Sequence, residues 1–381
     1  MLSLLFACAA ALPPGGAPAP SDIASDTASD TAGAGVAGPG LAFPLGPAAL
    51  LGCAPARFVL AGGTVVGVGR ADVEIDAGRI VAIGAVSTDA PVVDVTGRWL
   101  APAAIDSHVH LAYLPEHDAM ARGGVAGAVD LAAPTTFLAA DHGPLRVVAA
   151  GPMITAVGGY PTEGWGRNGY GLEVETPEES AAAVDSLHAL GARVVKIPLD
   201  GGPTLSDAAL AAAVAQAHAL GMPVAVHALG DTDAARAAAA GADVLAHTPV
   251  SRLSEATVAA WSGRAVVSTV AAFGGAPTTL ANLADLHAAG ATVLYGTDFG
   301  NSRTAGIDGR ELAHLVDAGL TPADVLAALT TAPARVWGFD DLGALTVGGP
   351  ASLLVLSADP LGDPLALAAP ERVYIDGARL E

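Results

Sequence analysis

The sequence predicts an α/β fold: a (β/α)8 TIM barrel with a small β-sandwich domain formed by both termini. Two observations carry this prediction. The middle of the 381-residue chain repeats a helix, a glycine and a β-branched strand, while both ends consist of short strand-like runs separated by turn signals. A chain of this length can bury one large core and a smaller one.

The repeating units of the middle region define the predicted barrel. Each unit has a helix that ends at a glycine, which accepts the left-handed conformation that terminates helices. These glycines are Gly191, Gly221, Gly241 and Gly290. Each following strand is expected to end on a residue that can bind a metal, and these residues are Lys196, His227, His247 and Asp298. Such barrels keep their functional side chains at strand carboxyl ends, so we expect one shared active site.

Strand-like runs at the two ends predict a second, smaller domain. Residues 56–101 include ADVEIDAGRIVAIGAV, and residues 341–381 include RVYIDGARL, in which Asp376-Gly377 is a hairpin-turn signal. We expect these two segments to form the small β domain and residues 102–340 to form the catalytic barrel.

The first 55 residues are predicted to be a leader followed by a disordered tether. Cys8 follows Leu5-Phe6-Ala7, which resembles a bacterial lipoprotein cleavage box, although no basic residue precedes the apolar run. The Ala-, Gly-, Pro- and Ser-rich stretch after it cannot bury apolar surface. Cys53 lies too late in the chain for such a box. Two locations stay open: export with a lipid anchor at Cys8, or the cytoplasm.

Charge and composition exclude several classes of partner. The formal net charge is −21, which disfavours nucleic acid and anionic membrane surfaces as partners. Apolar runs are interrupted by Gly, Pro or charge, so no transmembrane segment is predicted. Two cysteines are too few for a disulfide framework or a thiolate metal site. A small-molecule substrate is the expected partner, and the oligomeric state stays open.

A His-x-His pair follows an apolar run. His108 and His110 are two residues apart, and alternate residues of a strand point to the same face. Two imidazoles leaving one buried strand can hold a divalent metal ion together. By itself this pair is a weak signal.

The chain contains a single lysine, Lys196, against sixteen arginines. Arginine serves as well as lysine at most surface positions, but it stays protonated. A lysine retained at a strand end therefore suggests chemistry that needs a neutral amine.

Several of these motifs together resemble the amidohydrolase superfamily. They are the run from Trp99 to Leu111, the strand ends at Lys196, His227 and His247, and Gly296-Thr297-Asp298. The more specific resemblance is to the imidazolonepropionase-like and metal-dependent Xaa-Pro dipeptidase (prolidase) branch. It covers about residues 57–381 and includes a return strand near residues 348–356.

The resemblance implies a role for each site residue. His108, His110 and Asp298 would hold the first of two divalent metals, and His227 and His247 would hold the second. Lys196 occupies the position of a carboxylated lysine that bridges both ions. Zinc is the expected metal, with manganese or cobalt as alternatives. A metal-bound hydroxide would then cleave an amide or peptide bond, with Asp298 as general base.

Two alternative functions stay open within the same superfamily. One is a single-metal deaminase, although the residues around His227 lack the acid such enzymes carry. The other is a lactone or ester hydrolase, which the same metal centre could serve. Thr248-Pro249 and Pro198-Leu199-Asp200 depart from the family pattern near the mouth, which leaves the substrate open among dipeptides, N-acyl amino acids and cyclic amides.

Substrate contacts are predicted from a loop that is unusually rich in aromatic residues. Tyr160, Trp165 and Arg167 lie in this loop, and Asn301 lies just beyond Asp298. The other six histidines are predicted not to bind metal. They are His117, His142, His188, His218, His287 and His314.

Overall fold

The computed structural model describes residues 57–381. The predicted leader and tether, the lipidation site at Cys8 and the box at Cys53 all lie outside these residues. Export, lipid anchoring and the domain boundaries stay predictions. Among the described residues, no helix has the length and apolar character needed to cross a membrane.

Two sheets are built largely from the ends of the described chain. The first seven strands are β1 Phe58–Ala61, β2 Thr64–Val65, β3 Gly69–Arg70, β4 Asp72–Asp76, β5 Arg79–Gly84, β6 Val92–Asp94 and β7 Trp99–Pro102. One sheet has the order β5-β4-β1-β6. In the other, β7 pairs antiparallel with the C-terminal strand Leu353–Leu356, so both ends of the chain share one sheet.

The middle of the chain supplies ten parallel strands. They are β8 Ala104–Val109, β9 Val125–Asp130, β10 Arg146–Ala149, β11 Met153–Ala156, β12 Gly171–Val174, β13 Val195–Pro198, β14 Val224–His227, β15 Val244–Leu245, β16 Ala265–Val267 and β17 Thr292–Leu294. They pair in three groups, β8 to β10, β11 with β12, and β13 to β17. The chain ends with β18 Leu353–Leu356, β19 Arg372–Ile375 and β20 Ala378–Leu380.

The helices connect these strands in the alternation that the sequence predicted. They are α1 His117–Arg122, α2 Pro177–Ala189, α3 Asp207–Ala219, α4 Asp231–Ala240, α5 Glu255–Ala260, α6 Pro277–Ala288, α7 Gly309–Asp317, α8 Pro322–Leu329 and α9 Thr331–Trp337. Thr176 is the N-cap residue of α2, and its side chain forms a capping box with Glu179. The four glycines expected to end helices all have positive φ, for example 86° at Gly241.

The first and last parallel strands are joined near the predicted site. Backbone N–H of Ser107 in β8 donates to the Tyr295 carbonyl after β17 at 2.9 Å, and His110 N–H donates to the Phe299 carbonyl at 2.7 Å. The described region is therefore an α/β fold whose parallel strands meet as in a TIM-barrel-like protein. The exact eightfold barrel and the sandwich form of the terminal sheets stay predictions.

Two separate apolar cores lie under these sheets. The larger one packs the parallel strands against the helices and includes the buried Trp261 and Phe339. The smaller one joins Leu60 and Ile75 near the start of the described chain to Leu353 and Tyr374 near its end. Most of the parallel strands are buried on both faces, as expected for strands covered by helices, whereas β12 is partly exposed.

Candidate metal centre

His108, His110 and Asp298 come together at the carboxyl end of β8. Asp298 Oδ1 lies 3.0 Å from His110 Nε2 and 3.6 Å from His108 Nε2. One potential ligand atom from each of the three residues lies within 4.8 Å of the others, and all three residues are buried. Two imidazoles and a carboxylate at this spacing are a suitable donor set for one divalent cation.

A backbone hydrogen bond fixes the orientation of His108. Its Nδ1 lies 2.7 Å from the Ala246 carbonyl oxygen, which can only accept a hydrogen bond. Nδ1 therefore carries the proton, and Nε2 presents its lone pair toward Asp298. A fixed tautomer of this kind is typical of histidines that bind metal.

His247 and His227 continue the cluster from the neighbouring strands. The His247 ring centroid lies 4.4 Å from that of His108 and 4.9 Å from that of His227. His247 lies two residues after β15, and His227 is the last residue of β14. Burial lowers the pKa of His227 to about 3 and the pKa of His247 well below its usual value. Both rings are therefore neutral at physiological pH, which is the metal-binding form.

Lys196 lies inside β13, two residues before the strand ends, rather than at its last position. Its ammonium is almost completely buried and has no hydrogen-bond partner among the described residues. Burial lowers the pKa of Lys196 to about 7, although Asp298 and Asp130 act in the opposite direction. A large fraction of this lysine is therefore a neutral amine near pH 7, as the sequence suggested.

Asp298 is held in an uncommon backbone conformation. Its φ is 52°, in the left-handed region, where Asp and Asn are better tolerated than most residues. The Asn301 amide lies 3.2 Å from each Asp298 carboxylate oxygen and donates to it. A Cβ at Gly300 would lie 2.8 Å from His110 Cβ, so a glycine is needed for the close approach of the two segments.

The predicted substrate residues fall into two groups. Tyr160 stacks on His227 with centroids 5.1 Å apart, and Trp165 meets His110 edge-on at 5.6 Å. The Trp165 indole N–H donates to the Tyr160 hydroxyl at 2.9 Å. By contrast, the Arg167 side chain is 69% exposed, and its nearest acidic partner is Glu163. The structure therefore places two aromatic side chains against the histidines and leaves Arg167 on the surface.

Three buried acids near the site were not singled out from the sequence. Asp106 accepts hydrogen bonds from the Thr297 N–H at 3.1 Å and hydroxyl at 2.6 Å, and burial raises its pKa to about 7. Asp130 is the last residue of β9, so the strand-end rule applied to the other strands would have found it. Glu311 lies in the first turn of α7, where an acid is expected on electrostatic grounds alone.

The histidines that were not expected to bind metal lie outside the cluster. His218 pairs with Asp243 at 2.7 Å, and His287 lies 3.9 Å from Asp324. His117 and His142 stack on each other beside Phe137, with ring centroids 5.6 Å apart. None of the six belongs to the ligand group of His108, His110 and Asp298 found among residues 57–381, and neither do His227 and His247, whose rings lie beside that group.

Histidines and an aspartate at the carboxyl ends of parallel strands place the candidate metal centre where TIM-barrel-like enzymes keep their active sites. A model of the amidohydrolase family matches residues 99–379, well over half of the chain. The protein therefore belongs to the amidohydrolase family, as the sequence motifs predicted, and is a hydrolase acting on carbon–nitrogen bonds.

Several known proteins are similar to this chain in sequence or in structure. An uncharacterised protein of Mycobacterium tuberculosis is 29% identical over 330 residues, which cover 74% of this chain and 85% of the relative. A crystal structure of a Xaa-Pro dipeptidase with bound methionine aligns with a TM-score of 0.73 and 21% identity, covering 85% of this chain and all of the other. Ochratoxinase of A. niger aligns with a TM-score of 0.70 and 20% identity, covering 85% of this chain and 95% of the other. Because the two solved structures are only 20% to 21% identical to this chain, these matches establish the fold alone.

Proposed function

We propose that the protein hydrolyses an amide or peptide bond with two divalent cations and that Asp298 is the general base. The observation that carries this proposal is the buried Lys196 amine, which has no hydrogen-bond partner among the described residues and interacts electrostatically with His108, His227, His247 and Asp298. An unpaired buried ammonium is costly, and a functional role explains its presence better than a structural one.

The donor set fits two cations if Lys196 is carboxylated. Its neutral amine would add carbon dioxide to form a carbamate, with release of one proton, and the two carbamate oxygens could bridge the ions. His108, His110 and Asp298 would hold one ion, and His227 and His247 would hold the other. Zinc is proposed as the native metal because neutral imidazoles and carboxylates suit it, although manganese or cobalt could also occupy such sites.

The side chains around this centre can move a proton between water and the leaving group. When bound, the cations would lower the pKa of water and polarise the scissile carbonyl. The Asp298 carboxylate would accept the proton from the attacking water and deliver it to the leaving nitrogen. Asn301 donates to both Asp298 oxygens and would keep the carboxylate aimed at this task.

Tyr160 is the proposed donor to the substrate carbonyl oxygen. Its hydroxyl oxygen already accepts from Trp165, so its own proton is free to be donated. Burial raises the pKa of Tyr160 to about 12, which keeps the hydroxyl protonated at physiological pH. Its position over His227 would bring this proton close to the reacting carbonyl.

The proposed substrates are dipeptides, N-acyl amino acids or cyclic amides. One solved structure of similar fold is a Xaa-Pro dipeptidase, which supports a search among compounds with a C–N bond beside a carbonyl. The aromatic side chains Tyr113, Tyr160 and Trp165 pack together near His110 and would contact apolar parts of such a substrate.

A substrate panel tests this function directly. The full chain, loaded in turn with Zn²⁺, Mn²⁺ or Co²⁺, should turn over at least one of the proposed amide classes faster than lactones or aminated heterocycles. Release of ammonia from aminated heterocycles without any amide cleavage would favour the single-metal deaminase instead. Preferential turnover of lactones would favour the ester hydrolase.

Two cations per chain are expected by elemental analysis of the purified protein. His108→Ala should lose at least one of them, because this residue contributes a lone pair to the first position. His188→Ala, in the last turn of α2, is the matched control and should retain both. A fully active wild-type protein with one cation per chain would contradict the two-metal proposal.

A further inference from the structure

The turn that follows β16 contains a strained residue. Thr269 has a φ of 41°, in the left-handed region that β-branched residues rarely enter. Such a conformation persists only where its surroundings enforce it. Two backbone hydrogen bonds contribute: Thr269 N–H donates to the Gly296 carbonyl, and Thr248 N–H donates to the Ser268 carbonyl, both at 3.2 Å.

A buried carboxylate closes the same turn from the other side. Glu311, on α7, is inaccessible to solvent. One of its oxygens accepts from the Val270 N–H at 2.9 Å, and the other accepts from the Ala271 N–H at 2.7 Å. Two consecutive N–H groups held by one carboxylate leave the preceding residue little freedom to change its backbone angles.

The strained conformation places the Thr269 side chain against a proposed metal ligand. Its hydroxyl oxygen lies 3.1 Å from His247 Nδ1, and both residues are buried. The Phe273 ring packs edge-on against His247 with centroids 5.0 Å apart, so the imidazole is restrained on a second side. With the proton on Nδ1 donated to Thr269, Nε2 would be left free for a cation.

We propose that Glu311 and Thr269 are positioning residues: Glu311 holds the turn in its left-handed conformation, and Thr269 orients the His247 ring through its hydroxyl. This inference rests on the proposed role of His247 as a metal ligand. Both residues are inaccessible to solvent, so we expect them to make no direct contact with substrate. Their effect is expected on the cation-binding equilibrium, through His247.

Cobalt titration of the full chain, followed by visible absorption, tests this relay. Thr269→Val keeps the shape of the side chain but removes the hydroxyl, and it should weaken one of the two Co²⁺ affinities by about 10- to 100-fold, the usual cost of losing a partner of a ligating histidine. Thr269→Ser retains the hydroxyl and should lose less Co²⁺ affinity than Thr269→Val. Thr279→Val is the matched control, because Thr279 is fully buried in α6 and its hydroxyl has no partner among the described residues. Equal affinities in Thr269→Val and wild type would overturn the proposal.

A double-mutant cycle tests whether Glu311 affects Co²⁺ binding through Thr269 or only by destabilising the fold. If Glu311 acts through Thr269, then Glu311→Gln should weaken Co²⁺ binding in the wild-type background but add little to the loss in Thr269→Val. Additive losses would overturn the relay. His247→Gln tests the underlying assignment: if it leaves both affinities unchanged, His247 is not a ligand and the proposed function fails. If His247→Gln weakens binding and Thr269→Val does not, only the positioning role is wrong.

Discussion

Lys196→Ala should lose one cation and at least about 10²-fold in turnover. The expected loss follows because a carbamate at this position would supply one ligand oxygen to each ion, and a catalytic metal contributes several kcal/mol to transition-state stabilisation, with each 1.36 kcal/mol worth a factor of ten. Elemental analysis and steady-state kinetics on the same preparation would measure both effects. The Lys196 side chain is almost completely buried, so its truncation would leave a cavity near the size of a short carboxylic acid.

Added carboxylates provide the control for this substitution. Formate, acetate or propionate should restore part of the metal content and part of the turnover in Lys196→Ala and have no effect on the wild type, since a free carboxylate could occupy the vacated bridge. Lys196→Arg should not retain wild-type metal content or turnover, because a guanidinium stays protonated beside the two cations. If Lys196 has only a structural role, the added acids would restore neither metal nor turnover in Lys196→Ala.

Asp298→Asn should reduce turnover by about 10²-fold or more while leaving the fold intact, because it removes the proposed general base without changing the shape of the side chain. Asparagine also tolerates the left-handed backbone found at this position, so backbone strain should not increase. Kinetics with the best substrate of the panel would measure the effect.

Metal content and thermal unfolding are the controls for Asp298→Asn. Most of the metal should be retained, because the amide oxygen can still bind and the other ligands are unchanged. Asp317→Asn makes the same chemical change at an exposed position at the end of α7 and should behave like the wild type. Near-normal turnover in Asp298→Asn with full metal content would show that another group accepts the proton.

Much of the candidate site could be predicted from the sequence because strand periodicity and strand ends are local features. His108 and His110 share a face since they are two residues apart, and β14 ends at His227 as expected. The lone Lys196 was notable by composition alone, and its burial agrees with a special role. The exact boundaries were less predictable: Lys196 lies within its strand, and Asp298 lies four residues beyond β17.

The hydrogen bonds that hold those candidate ligands in place join segments that are far apart in the chain. Asn301 was expected to contact substrate, but its amide donates to Asp298, and its substrate role stays a prediction. Glu311 would pass for an ordinary acid at a helix start, yet it is fully buried and holds a turn some forty residues earlier in the chain.

The sequence by itself therefore determined the α/β class and the amidohydrolase family and predicted a group of candidate metal ligands, because these depend on residue type, local spacing and order along the chain. Only the tertiary structure decided which side chains orient those ligands, such as Thr269 for His247 and the Ala246 carbonyl for His108. Hydrogen bonds act over about 3 Å, so a partner is specified by position in space, which sequence separation does not reveal.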